Sequence, residues 1–172
     1  MKLVLPPLMA LSAAGLVLSA VIHLAAWVGM QPPSLAWALH VGIFVVWIPA
    51  VFVSQRLTRD FKQSEWWEAT YRGAPRWVAR GTKWLGAYAL ANFAIFLFVL
   101  PKEGSGETVN TFRGFSGHWM VFYAGALGIF YSALHATDAD RARVCPSGHP
   151  VAITAKYCGE CGAPVERRPT GA

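Results

Sequence analysis

Charge is scarce in this 172-residue chain, with Asp, Glu, Lys and Arg together making 14% of it. Soluble domains carry about 25%. Acidic residues are absent from all four long apolar blocks, which excludes a carboxylate proton relay within them. Cysteine is nearly missing as well: Cys145, Cys158 and Cys161 all fall in the last 30 residues. An odd, clustered count argues against a disulfide framework and for reduced thiolates holding a metal. The sequence shows no nucleophile paired with a base, no paired carboxylates and no phosphate-binding loop, so no catalytic apparatus is legible. It also lacks an internal repeat of the transporter kind.

Apolar residues make up 55% of the chain and come in blocks, so a bilayer is the expected solvent. The expected fold is an all-α membrane protein: four transmembrane helices, an amphipathic cytoplasmic loop helix and a small C-terminal β zinc ribbon. The spans are placed at about 8–28, 34–54, 84–100 and 116–135. Twenty-one residues at 1.5 Å each reach roughly 30 Å, the depth of a hydrocarbon core. A signal peptide is the rival reading of the first block, but its apolar region runs only about 7–15 residues. Pro49 is expected to kink the second span. Gly15 with Ser19, Ala87 with Ala91, and Ala124 with Gly128 are spaced for close helix contact. Residues 1–135 form the membrane domain, 136–144 a linker, 145–165 the ribbon and 166–172 a flexible tail.

Basic residues set the orientation. The segment after span two carries Arg56, Arg59, Lys62, Arg72, Arg76, Arg80 and Lys83, and the N-terminus and tail add six more. Only Lys102 and Arg113 fall on the other side. Both termini are therefore expected in the cytoplasm, with the chain in the inner (cytoplasmic) membrane. Leu57, Phe61, Trp66, Trp67 and Tyr71 suggest a helix lying on the bilayer surface, broken at Gly73 to Pro75. Residues 101–115 read as an exposed, flexible connection.

The strongest chemical signal is Cys145-Pro-Ser-Gly-His149, then Cys158-Gly-Glu-Cys161-Gly162. Two tight turns can each present two ligands, and a Cys3His set suits a tetrahedral zinc ion. At these residues the tail resembles the zinc ribbon family, with His149 where many members carry cysteine. The resemblance implies a structural zinc and docking to another protein, less often to nucleic acid. Val151 to Tyr157 is expected as the strand between the knuckles. The stretch Arg113 to Met120 resembles small bacterial inner-membrane proteins, a likeness that brings no activity with it.

His23, His40 and His118 are the ionisable residues inside the spans, all near the outer boundary by helix rise. They are candidate ligands for haem b or a second metal, or else interfacial histidines hydrogen-bonded to neighbouring helices. Three functions stay open. The first is a membrane-anchored scaffold or adaptor, not an enzyme, whose cytoplasmic ribbon docks a protein partner. The second is a small redox protein using the three histidines. The third is a channel or transporter, which would have to be a homo-oligomer.

Overall fold

The computed structural model describes residues 3–59, 61, 63–100, 107–136, 143–151 and 156–165. Helix α1 spans Leu5–Trp27 and carries proline in its first turn, where a missing N–H costs nothing. A 3-10 turn, Ser34–Trp37, runs straight into α2, Ala38–Thr58, which continues through Pro49. A second 3-10 turn, Gln63–Glu65, leads to the short α3, Trp66–Tyr71. Helix α4 is Arg76–Phe98 and α5 is Glu107–His135. Strands β1, Arg143–Val144, and β2, Pro150–Val151, pair antiparallel.

Helix α5 is the hub and packs against each of the other four. It runs antiparallel to α1, since His23 meets Ser116 while Gly15 meets Tyr123. It is antiparallel to α4 through Phe96 at Gly114 and Val78 at Gly128, and parallel to α2 through His40 at Trp119 and Trp47 at Gly125. Trp119, Phe112 and Phe130 are fully buried on its inner faces. Tyr123 slots between two glycines: a Cβ at Gly15 or at Gly42 would overlap its ring or its hydroxyl. Its hydroxyl donates to the Leu39 carbonyl at 2.8 Å. Of the small-residue pairs, Gly15 and Ser19 are buried, and Gly128 receives the Tyr71 ring, but Ala87 and Ala91 lie exposed.

Arg113 joins the far end of α1 to α5. Its Nε donates to the Ala26 carbonyl at 2.7 Å, Nη2 reaches the Trp27 carbonyl at 3.4 Å, and the guanidinium sits 5.4 Å from the Trp27 ring. A cation on the last carbonyls of a helix satisfies them and complements the dipole. Arg113→Gln should cost about 1–2 kcal/mol, read as an earlier thermal transition in detergent. An unchanged transition would show that the cap adds nothing.

The expected fold class needs correction. Among the described residues two helical segments, Leu5–Trp27 and Ser34–Thr58, are long and apolar enough to cross a membrane, not four. The reason lies in composition. Helix α4 opens with Arg76, Arg80 and Lys83, and α5 carries Asn110, Thr111, Arg113, Ser116 and His118 along its first half. Both helices also begin well before their apolar blocks, at Arg76 and Glu107, because charge does not stop helical hydrogen bonding. Most of the expected loop 101–115 is therefore helix; its residues 101–106 lie outside those described.

The surface-lying helix is corrected too. Among the described residues the segment holds the 3-10 turn Gln63–Glu65 and the short α3, with Ala69, Thr70 and Tyr71 buried against the bundle, and Leu57 belongs to α2. The chain does turn at Gly73, whose N–H donates to Ser132 Oγ at 3.1 Å. No β ribbon is seen among the described residues. Their β structure amounts to the β1–β2 pair and one bridge, Tyr157 with Pro164. The expected strand falls largely on residues 152–155, outside those described, as do linker residues 137–142 and the tail 166–172.

Candidate metal centre

Cys145 and His149 bracket a tight turn in which the Gly148 N–H donates to the Cys145 carbonyl at 2.8 Å. The Cys145 N–H then donates to the His149 carbonyl at 3.0 Å, which closes the loop. The second turn follows the same logic. Gly162 N–H donates to the Cys158 carbonyl at 2.9 Å, and Cys158 N–H to the Ala163 carbonyl at 2.8 Å. Gly148 and Gly162 adopt φ of +82° and +70°, a left-handed backbone that strains any residue with a Cβ.

These turns bring the four side chains together, with one ligand atom from each lying within 4.8 Å of all the others. Cys145 Sγ is 3.6 Å from Cys161 Sγ and 3.6 Å from His149 Nδ1, which is 3.8 Å from Cys158 Sγ. Metal–ligand bonds of about 2.0–2.3 Å in a tetrahedron put ligand atoms roughly 3.6–3.8 Å apart. The cluster therefore fits one metal ion. Four protein ligands leave such an ion no open position, so its role is structural rather than catalytic.

Around the cluster there is little else to hold the tail together. The local core is Cys145, Cys158, Val151 and Val165, so half of it is ligand. The Ala163 N–H, followed by Ser147, holds the Cys161 thiol down to about 7, and the N–H groups of Cys161 and Glu160 lower Cys158. Burial pushes the Cys145 thiol up. Sequence reading passed over Glu160. Its carboxylate lies 3.8 Å from His149 Nε2, the ring nitrogen turned away from the cluster. At that distance the contact is electrostatic and beyond hydrogen-bond reach. The position of Glu160 inside the C-x2-C loop was the available clue.

His23, His40 and His118 are not gathered. His23 meets Ser116, His40 meets Trp119, and His118 stands between those two positions on α5. All three thus share a level but enter different interfaces. His23 Nε2 accepts from Trp27 Nε1 at 3.0 Å and lies 2.5 Å from the Tyr88 hydroxyl, while Nδ1 is 2.7 Å from Ser116 Oγ. Indole N–H can only donate, so the Nδ1 nitrogen carries the proton. Ser116 accepts it and passes its own hydrogen to the Phe112 carbonyl at 2.5 Å. His40 accepts from Trp119 Nε1 at 3.0 Å, and His118 donates to the Gly114 carbonyl at 3.3 Å beside Phe93. Among the described residues, the group of three or more ligating side chains within reach of one ion is the Cys3His cluster.

No family model matches the chain, and neither a curated protein nor a solved structure is significantly similar to it.

Proposed function

We propose that the protein is a membrane-anchored scaffold whose zinc-stabilised C-terminal knuckles dock a protein partner in the cytoplasm. The observation that carries this reading is the closed Cys3His cluster, borne on a chain whose longest apolar helices are left uncovered. In the most apolar stretches of α1 and α2 only 22% and 28% of residues are buried. The core helix of a soluble protein would be mostly covered, so these surfaces suit lipid. Thiolate and imidazole donors in a tetrahedron favour zinc among the common metals.

The basic segment after α2 favours a cytoplasmic location in an inner membrane. The end of α5 packs at Gly73, within that basic segment, so the tail leaves from the same end of the molecule. Reduced thiols suit that compartment. Val144 and Tyr157 stand exposed beside the knuckles and supply apolar contacts for a partner.

The test is cross-linking in native membranes, comparing the natural chain with Cys158→Ser. A protein adduct on the tail should form with the natural chain and vanish in the variant, while both chains stay in the membrane fraction. Adducts that persist in the variant, or fail to form at all, reject the docking role. A cysteine placed at Thr108, at the opposite end of α5, should react with an impermeant reagent from outside; protection there would reverse the orientation.

A further inference from the structure

Helix α4 opens with three cations on one side. Arg76, Arg80 and Lys83 follow each other at i, i+4 and i+7, a spacing that stacks them on one helix face. They line a cleft of about 720 Å³ together with Arg72, Trp67 and Tyr71. Two of these cations have work within the fold. Arg72 donates to the carbonyls of Leu57 and Ala69, and the Lys83 ammonium sits 5.0 Å from the centre of the Trp67 ring. Among the described residues Arg76 and Arg80 make no ion pair and no hydrogen bond. Glu65 and Glu68 also line the cleft, and neither pairs with those two arginines. Four cations against two carboxylates leave the cleft positive, and α4 brings no acidic residue to its first turn.

The surroundings identify the anion. Arg72 ties the cleft to Leu57 in the last turn of α2, so the cleft lies level with the end of an apolar helix. In a bilayer that is the depth of the headgroups. Trp77 and Trp84, on the same turns of α4, are 70% and 76% exposed, and exposed indoles settle at that depth.

We propose that the first turns of α4 form a binding site for the headgroup of an anionic phospholipid, with Arg76, Arg80 and Lys83 on its phosphate. The site rests on the membrane reading above. Basic pockets at the cytoplasmic ends of membrane helices select anionic headgroups by charge.

The experiment uses the full chain in neutral detergent micelles with brominated phosphatidylglycerol or brominated phosphatidylcholine, reading tryptophan quenching. The natural chain should prefer phosphatidylglycerol. Arg76→Gln/Arg80→Gln should lose that preference by about fivefold for each charge removed. Phosphatidylglycerol, but not inorganic phosphate, should also raise the thermal transition of the natural chain and leave that of the variant unmoved. Circular dichroism must show the variant equally helical; if it unfolds, Arg76→Lys/Arg80→Lys, which keeps the charge, must retain the preference and Arg80→Gln alone must weaken it. Equal quenching by both lipids, an undiminished preference in the variant, or a full shift from inorganic phosphate overturns the site. Alkaline carbonate separates the two readings. If it strips the chain from native membranes, the membrane reading and the site fall together. If the chain stays and the preference is missing, the site alone falls.

Discussion

Removing the metal, by chelation or by Cys158→Ser, unfolds the C-terminal knuckles and leaves the helices standing. The imbalance of contributions makes this the largest expected effect. Apart from its ligands the local core offers Val151 and Val165, and burying a valine contributes about 1.5–3 kcal/mol at most. Structural zinc in peptides of this size contributes about 10–16 kcal/mol at neutral pH. Limited proteolysis should therefore digest the chelated tail quickly while far-ultraviolet circular dichroism stays helical. A tail that resists protease in chelator would show that the fold does not depend on the ion.

The same site predicts a pH dependence. Metal must displace protons from the thiols, so affinity rises with pH. The Cys161 thiol, held at about 7 by the Ala163 N–H, is already ionised above that value and stops contributing to the slope. Cys145, pushed up by burial, keeps contributing at higher pH. Competition with a calibrated chelator should show affinity climbing most steeply below 7 and still rising above it.

The second large effect lies in the bundle. Gly15→Val should force Tyr123 out of its slot, since a Cβ at position 15 already overlaps the ring. The ring has nowhere to go, because Gly42 closes the other side of the slot and the Leu39 carbonyl holds the hydroxyl. Overpacking of this kind costs about 1–3 kcal/mol. Tyr123→Phe keeps the ring and loses only the hydrogen bond, and side-chain bonds between membrane helices average about 0.6 kcal/mol. Thermal unfolding in detergent should rank the two variants in that order. Equal transitions would mean that the α1–α5 contact is looser than the structure shows.

Gly15 shows how much of the packing was legible. Its spacing with Ser19 marked a close contact, but the same pattern at Ala87 and Ala91 marks an exposed face. A small residue permits approach without compelling it; the partner decides, and Tyr123 is 108 positions away in the chain. The helix ends were misjudged for a related reason. Hydropathy locates where a helix meets lipid, whereas backbone hydrogen bonding carries α4 and α5 past their apolar limits to Arg76 and Glu107.

The sequence by itself determined the Cys3His cluster that can hold a metal ion, because Cys145, His149, Cys158 and Cys161 lie close along the chain and two glycine turns suffice to gather them. It also determined the two long apolar helices, since their length and composition are local properties. Only the tertiary structure decided where the histidines point. Helix rise puts His23, His40 and His118 at one level, but the faces they occupy depend on how each helix is rotated against α5. That rotation is set by side chains such as Tyr123, Trp119 and Arg113, whose partners on α1 and α2 lie far away in the sequence.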